Sequence, residues 1–159
     1  MKIFTTGGTI DKIYFDANSE FQVGEPAIKQ LLQEEHVSFD YEVEPLMRKD
    51  SLELTDTDRQ LIRSRVAQDG SDRILITHGT DTMVATAMEL LDIEQKTIVL
   101  TGSMQPAKLR ASDAVFNIGC AITAVQLLDP GVYIAMHGRV FDPRITRKNL
   151  AGQCFEEVS

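Results

Sequence analysis

The segment "THGTDTM" (residues 77–83) follows directly on the run "RILI" (73–76). It crowds Thr77, His78, Thr80, Asp81 and Thr82 around Gly79, more hydrogen-bonding groups than a turn requires. A threonine hydroxyl is a poor nucleophile at neutral pH and needs a base to take its proton. Asp81 can be that base or can hold a cation, and Thr80 can attack or hold a water. A lysine whose pKa falls on desolvation can complete a proton relay. Lys108 and Lys148 both qualify, and spacing does not choose between them. The plainer alternative is that Thr80 or Asp81 caps a helix at 82–91, where a carboxylate suits the positive helix end. His78 reads as a packed loop histidine rather than a base.

A second group of residues could supply the electrophile's other needs. In "TTGGTI" (5–10), Gly7-Gly8 allows a sharp turn with uncovered amides, and Thr9 brings a hydroxyl beside them. That is the material of a nucleophile next to an oxyanion hole, or of a simple turn cap. No Gly-Lys-Ser/Thr follows and no G-x-G-x-x-G is present, so phosphate-loop and dinucleotide readings are set aside. In "DSLEL" (50–54), Ser51 can bond a ligand carboxylate and Asp50 or Glu53 an ammonium, unless the segment is a solvated loop. His36 and His137 are isolated, and Cys120 and Cys154 stand far apart. They define neither a metal set nor a disulfide framework, so no cofactor and no metal are expected.

These residues need a scaffold, and the hydropathy pattern suggests one. Lys2–Thr6 reads as a strand. Residues 13–24, with Asn18 and Ser19, read as a loop or hairpin. Pro26 opens a helix through Ile28, Leu31 and Leu32. Residues 37–46 alternate like a strand at Val37, Phe39, Tyr41 and Val43. Thr55–Asp58 resembles a capping box ahead of Leu61, Ile62 and Val66. Strands follow at 74–77, 97–101 and 132–136, separated by helices carrying Met83, Ala87, Leu90 and Leu91, and then Val115, Ile118, Ile122 and Val125 within 110–128. A less regular tail begins at His137. Alternating strands and helices predict a single α/β domain: a mainly parallel sheet with helices on both faces, a three-layer arrangement of flavodoxin or Rossmann type. In such sheets ligands gather beyond the carboxyl ends of the strands. "TGGTI", "KDSLE", "HGTDT" and "TGSMQP" all fall there, which predicts one shared site.

Bulk properties narrow the function. The 159 residues carry 16 basic and 24 acidic side chains, a net charge of −8. That argues against broad nucleic-acid or anionic-membrane binding. No run of 18 apolar residues and no leader-like segment occurs in this sequence, so the expectation is a soluble cytoplasmic protein.

Together the segments resemble bacterial-type L-asparaginases, the threonine amidohydrolases, short-chain L-asparaginases included. "TGGTI", "DSLEL", "ITHGTDTM" (76–83), "LTGSMQP" (100–106) and "RASDAVFN" (110–117) occur in the family's order and spacing. The resemblance covers residues 1 to about 150, the larger N-terminal domain of a usual member, and leaves the C-terminal domain outside this chain. It implies hydrolysis of L-asparagine, with glutamine a lesser substrate, by a homo-oligomer, dimer or tetramer. By the same resemblance Thr9 is the nucleophile, and Thr80 and Asp81 are the second threonine and its acidic partner. Lys148, in "DPRITRKN", completes that set. Ser51 binds the substrate α-carboxylate, Asp81 its ammonium, and Ser103 lies where a backbone carbonyl meets the substrate amide; Asp50 and Gly79 complete the binding surface. Two positions depart from the pattern: Phe21 stands where a loop tyrosine is usual, and Leu52-Glu53 replace polar and Asp residues. The C-terminal domain outside this chain and Phe21 support an alternative, a non-catalytic sensor of asparagine or aspartate.

Overall fold

Alternation along each strand decides which side of the sheet a side chain reaches, and here it splits the apolar residues between two cores. The structure, a computed structural model, describes residues 1–15 and 20–158. In chain order its elements are β1 (Lys2–Gly7), β2 (Lys12–Phe15), β3 (Glu20–Val23), α1 (Ala27–Glu34), β4 (Glu42–Lys49), α2 (Asp56–Gln68), β5 (Arg73–Thr77), α3 (Met83–Met88), β6 (Thr97–Thr101), α4 (Ala114–Leu127), β7 (Gly131–Met136), β8 (Arg139–Phe141), β9 (Thr146–Asn149) and β10 (Cys154–Glu157). Among the described residues, one sheet runs in the spatial order β4-β1-β5-β6-β7-β8. Its pairs are parallel except β7–β8. Phe4, Ile74, Ile76, Ile98, Leu100 and Ile134 pack on the side of α2, α3 and the β8–β10 segment. Ile3, Leu75, Val99 and Ala135 pack on the side of α1 and α4. Fully burying each such aliphatic side chain contributes roughly 1.5–3 kcal/mol, so the strand ends that carry the site are held by core on both faces.

Local signals explain most boundaries. Thr55 caps α2, its hydroxyl accepting from the Asp58 amide while the Asp58 carboxylate accepts from the Thr55 amide. The Arg73 guanidinium donates to the carbonyls of Val125 and Leu128 at 3.0 and 2.8 Å. It thereby satisfies carbonyls at the end of α4 that have no partner within the helix. The expected hairpin is present as β2–β3, with Tyr14 opposite Phe21; Asn18 and Ser19 lie outside the described residues.

Three expectations need correction. The strand expected at 37–46 is β4 at Glu42–Lys49. Val37, Phe39 and Tyr41 pack against the core without a ladder, so their alternation reported burial rather than pairing. Pairing starts where Lys2 meets Glu42, with the Lys2 ammonium held by Glu42 and Glu44 at 2.7 Å each. The helix expected at 82–91 stops at Met88. Leu90 remains fully buried because the chain tightens into three-residue bonds, Leu90 N–H to Ala87 at 3.1 Å and Ile93 N–H to Leu90 at 3.0 Å. The tail is ordered: β8 joins the sheet, and β9 and β10 form a hairpin in which Lys148 stands opposite Phe155.

Candidate active site

The strand order carries the chain from β1 outward to β4 and then back past β1 to β5. The loops after β1 and β5 therefore diverge at a topological switch point, where a crevice opens beyond the strand ends. Three loops meet there at close range. A Cβ on Gly8 would lie 2.4 Å from the Cα and N of Gly79. A Cβ on Gly79 would lie 2.6 Å from Cβ and Oγ of Ser51. Gly8 also has φ 86° and ψ −174°, a region that is essentially glycine-only. These two glycines are required by close approach.

The loop after β1 continues as a 3₁₀ turn, Thr9–Asp11, with Ile10 buried in the core. After β4, Asp50 caps a second 3₁₀ turn, Ser51–Glu53; its carboxylate accepts from the Leu52 amide at 3.1 Å. Ser51 is only 1% exposed, so the solvated-loop alternative fails for it. Burial pushes the Asp50 carboxyl up, but the ammonium of Lys12 at 2.6 Å, the Leu52 amide and the charge of Lys148 outweigh it and hold it below the usual range.

In "THGTDTM" most of the polar crowd builds rather than reacts. Thr77 is a fully buried strand residue opposite Thr5. His78 is fully buried; its Nδ1 meets the Gly79 carbonyl at 2.7 Å and its Nε2 the Thr86 hydroxyl at 2.8 Å. Burial drives its pKa down to about 4, so it is neutral and structural. Thr82 donates its hydroxyl to the Ser51 carbonyl at 2.8 Å, fastening two loops. The capping alternative for Thr80 and Asp81 is overturned: Thr82 occupies the N-cap of α3, and it makes no side-chain cap bond.

Thr80 and Asp81 instead meet Lys148, which arrives from β9 across 68 and 67 residues. Its Nζ donates to Thr80 Oγ1 at 2.7 Å and to Asp81 Oδ1 at 2.6 Å. The Lys148 side chain is 15% exposed and that of Asp81 32%, so the bond to Thr80 is part-buried while the ion pair with Asp81 faces solvent. Lys108 lies elsewhere, beside α1. Thr9, Thr80, Asp81 and Lys148 line one pocket of about 200 Å³ with Met104, Gln105, Leu150 and Gln153. That is smaller than the roughly 300–1,000 Å³ of pockets for drug-sized ligands. Asp50, Ser51, Gly79 and Ser103 are not in its wall. Ser51 backs the Gly79 turn, and Ser103 is 1% exposed with its hydroxyl on the Gln105 carbonyl at 2.5 Å. Tyr14 and Phe21 stack edge to face at 5.6 Å on the hairpin, about half exposed.

Residues without an assigned role in the sequence also matter. The Asp113 carboxylate accepts the amides of Met104 and Gln105 at 3.0 Å and the Asn117 side-chain amide at 2.8 Å. Asn117 donates to the Gly102 carbonyl at 3.0 Å. The four-residue spacing of Asp113 and Asn117 at a helix start was a readable signal. Gln153 and Leu150 had none, because only the β9–β10 pairing carries that turn back to the pocket. The expectation that the Gly8 amide is free for an oxyanion is corrected: it donates to the Lys49 carbonyl at 2.9 Å. Cys120 and Cys154 are free thiols. No helix of the described residues is long and apolar enough to cross a membrane.

Fold and site together define a doubly wound α/β domain with two threonines, a carboxylate and a lysine gathered at its switch point. The chain matches the asparaginase N-terminal family over residues 1–157, and it belongs to that family. It superposes on the thermostable L-asparaginase of Thermococcus kodakarensis with a TM-score of 0.84 at 29% identity, covering 99% of this chain and 51% of that one. L-asparaginase I of Vibrio cholerae gives 0.79 at 29% identity, with 98% and 51% covered. A glutamyl-tRNA(Gln) amidotransferase component of Methanococcus vannielii is 38% identical over 77 residues, 47% of this chain and 18% of that protein. The chain thus spans about half the length of the solved structures it resembles, and a smaller share of that curated relative.

Proposed function

We propose that this domain hydrolyses the side-chain amide of L-asparagine, releasing ammonia and L-aspartate through an acyl-enzyme on Thr9. The observation that carries the reading is the Lys148 ammonium bonded to both Thr80 Oγ1 and Asp81 Oδ1 in a pocket that Thr9 also lines. Thr9 Oγ1 attacks the carboxamide carbon, and the C–N bond breaks as ammonia leaves with the proton given up by the hydroxyl. Water then attacks the ester, one proton returns to Thr9, and aspartate departs. Thr80 orients the water and relays its proton, and Lys148, through its bonds to Thr80 Oγ1 and Asp81 Oδ1, holds that hydroxyl in place. Asp81, at the exposed side of the pocket, pairs with the substrate ammonium. The amides of Thr9 and Thr80 are the oxyanion donors, each typically worth about 3–4 kcal/mol.

Ammonia release from L-asparagine tests this, with L-glutamine in parallel and light scattering for the expected homo-oligomer. Thr9→Ala and Lys148→Met are each expected to lower the rate at least about 10²-fold, the lower end of what a positioned proton relay supplies. Wild-type turnover equal to that of Thr9→Ala sinks the proposal. A second reading has the amidotransferase relatives in its favour: the domain frees ammonia for a partner protein. Under that reading the chain alone turns over slowly, and added partner accelerates it.

A further inference from the structure

Asp11 is a buried carboxylate for which the hydrolytic reading has no use. It is 3% exposed and ends the 3₁₀ turn that begins at Thr9. Its Oδ1 accepts the amide of Ala27, the first residue of α1, at 2.8 Å. The N-cap residue of α1 is Pro26, which has no side-chain cap bond. Asp11 therefore supplies from 16 residues away the acceptor that a local serine or aspartate normally provides. Its backbone carbonyl accepts the Gly24 amide at 2.8 Å, closing the base of the hairpin next to its Lys12–Val23 pair. One residue thus joins the Thr9 turn, the hairpin and α1. A neutral side chain could accept the same bond, whereas a carboxylate buried here is costly, so the choice of an acid asks for a reason.

We propose that Asp11 is a positioning residue for Thr9: its carboxylate clamps α1 and the hairpin base onto the nucleophile turn, and gain or loss of one proton there resets that turn. The effect on rate rests on the hydrolytic reading; the clamp itself does not. Among the charged groups around it, Arg48 on β4 favours the carboxylate but is itself paired with Glu25 at 2.6 Å. Lys12, next in the chain, is engaged with Asp50. Lys29 and Lys108 line the neighbouring hollow beside Ala27. Burial outweighs the Ala27 bond and Arg48 and lifts the Asp11 carboxyl to about 7. The clamp therefore changes charge near neutrality, and with it the strength of a charge-assisted bond.

The test is the amide spectrum of the ¹⁵N-labelled chain from about pH 5 to 9, wild type against Asp11→Asn. The amides of Thr9, Gly24 and Ala27 should titrate together, with a midpoint near the carboxyl's value of about 7, and should stay flat in Asp11→Asn. In the ammonia assay, kcat should follow the same midpoint with KM unchanged, and Asp11→Asn should lose that limb of the profile. A Thr9 amide that ignores the titration of Ala27 overturns the proposal, as does a titration that survives in Asp11→Asn. If Asp11→Asn does not fold, the Asp11 carboxyl ¹³C signal of the wild type decides: a midpoint at the ordinary carboxylate value overturns the clamp. Absence of ammonia release strikes the hydrolytic reading alone, because the amide titration is read without turnover.

Discussion

Gly8→Ala tests whether the pocket is built by backbone contact between the loops after β1 and β5. The new methyl would sit 2.4 Å from both the Cα and the N of Gly79. Carbon contacts prefer about 3.5–4.0 Å, so the loops must part by about 1 Å. Both obstructing atoms are backbone, and no rotamer change relieves them. Overpacking of this kind costs about 1–3 kcal/mol. Holding alanine at φ 86° and ψ −174° adds about 1–3 kcal/mol more. A combined loss of about 4 kcal/mol lowers Tm by about 8–16 °C in a chain of this size. Circular dichroism during a thermal ramp reads the shift. On the proposed hydrolysis, the displacement should also cut ammonia release by about 10²-fold, as a 1 Å misplacement does. Gly119→Ala is the control: it lies within α4, nothing stands within 4 Å of its added methyl, and helix propensity predicts a gain of up to about 1 kcal/mol. A Gly8→Ala protein that melts within about 2 °C of wild type would refute the contact geometry, because that shift corresponds to less than about 1 kcal/mol.

Three further outcomes follow from the same structure. Asp11 holds its proton to about 7 when folded, against 3.8 for the ordinary group; between those values the folded state binds more protons than the unfolded one, so stability falls as pH rises and levels off above about 7. The shift corresponds to about 4 kcal/mol, and urea titrations of wild type against Asp11→Asn should show the gap between them widening across that window. Thr77→Val removes a buried hydroxyl that has no hydrogen-bond partner among the described residues; it should raise stability by about 1 kcal/mol, measured as a higher urea midpoint. Asp113→Ala strands the amides of Met104 and Gln105; hydrogen bonds to a charged group contribute about 1.5–3 kcal/mol, so a loss of about 2 kcal/mol is expected and, on the proposed hydrolysis, a raised KM for asparagine because the pocket wall loosens.

Particular elements show where the sequence could be read and where it could not. "TIVLT" is β6 without adjustment, because a strand buried on both faces reads as a nearly continuous apolar run, here Ile98–Leu100. Thr55 and Asp58 announced α2 because a capping box acts within four residues. The run Val37–Val43 misled because burial and ladder pairing impose the same alternation, and only the position of β1 decides which applies. β9 and β10 were illegible because they are only four residues long and β9 is wholly polar, with Phe155 of β10 against Phe141 at 6.3 Å. In "THGTDTM", composition could not separate Thr80 and Asp81, which line the pocket, from Thr77, His78 and Thr82, which hold the sheet and loops in place.

The linear chain by itself determined the alternation of strands and helices and the gathering of hydroxyl-bearing loops at one rim of the sheet, since periodicity and turn chemistry act over a few residues. Spacing left Lys108 and Lys148 open, and tertiary structure puts Lys148 beside Thr80 and Asp81; it also gave His78 its buried partners Gly79 and Thr86 and put the Asp11 carboxylate in the interior at the foot of α1. Such outcomes depend on distances between segments tens of residues apart and on the local dielectric, and neither quantity exists until the two cores have closed around the sheet.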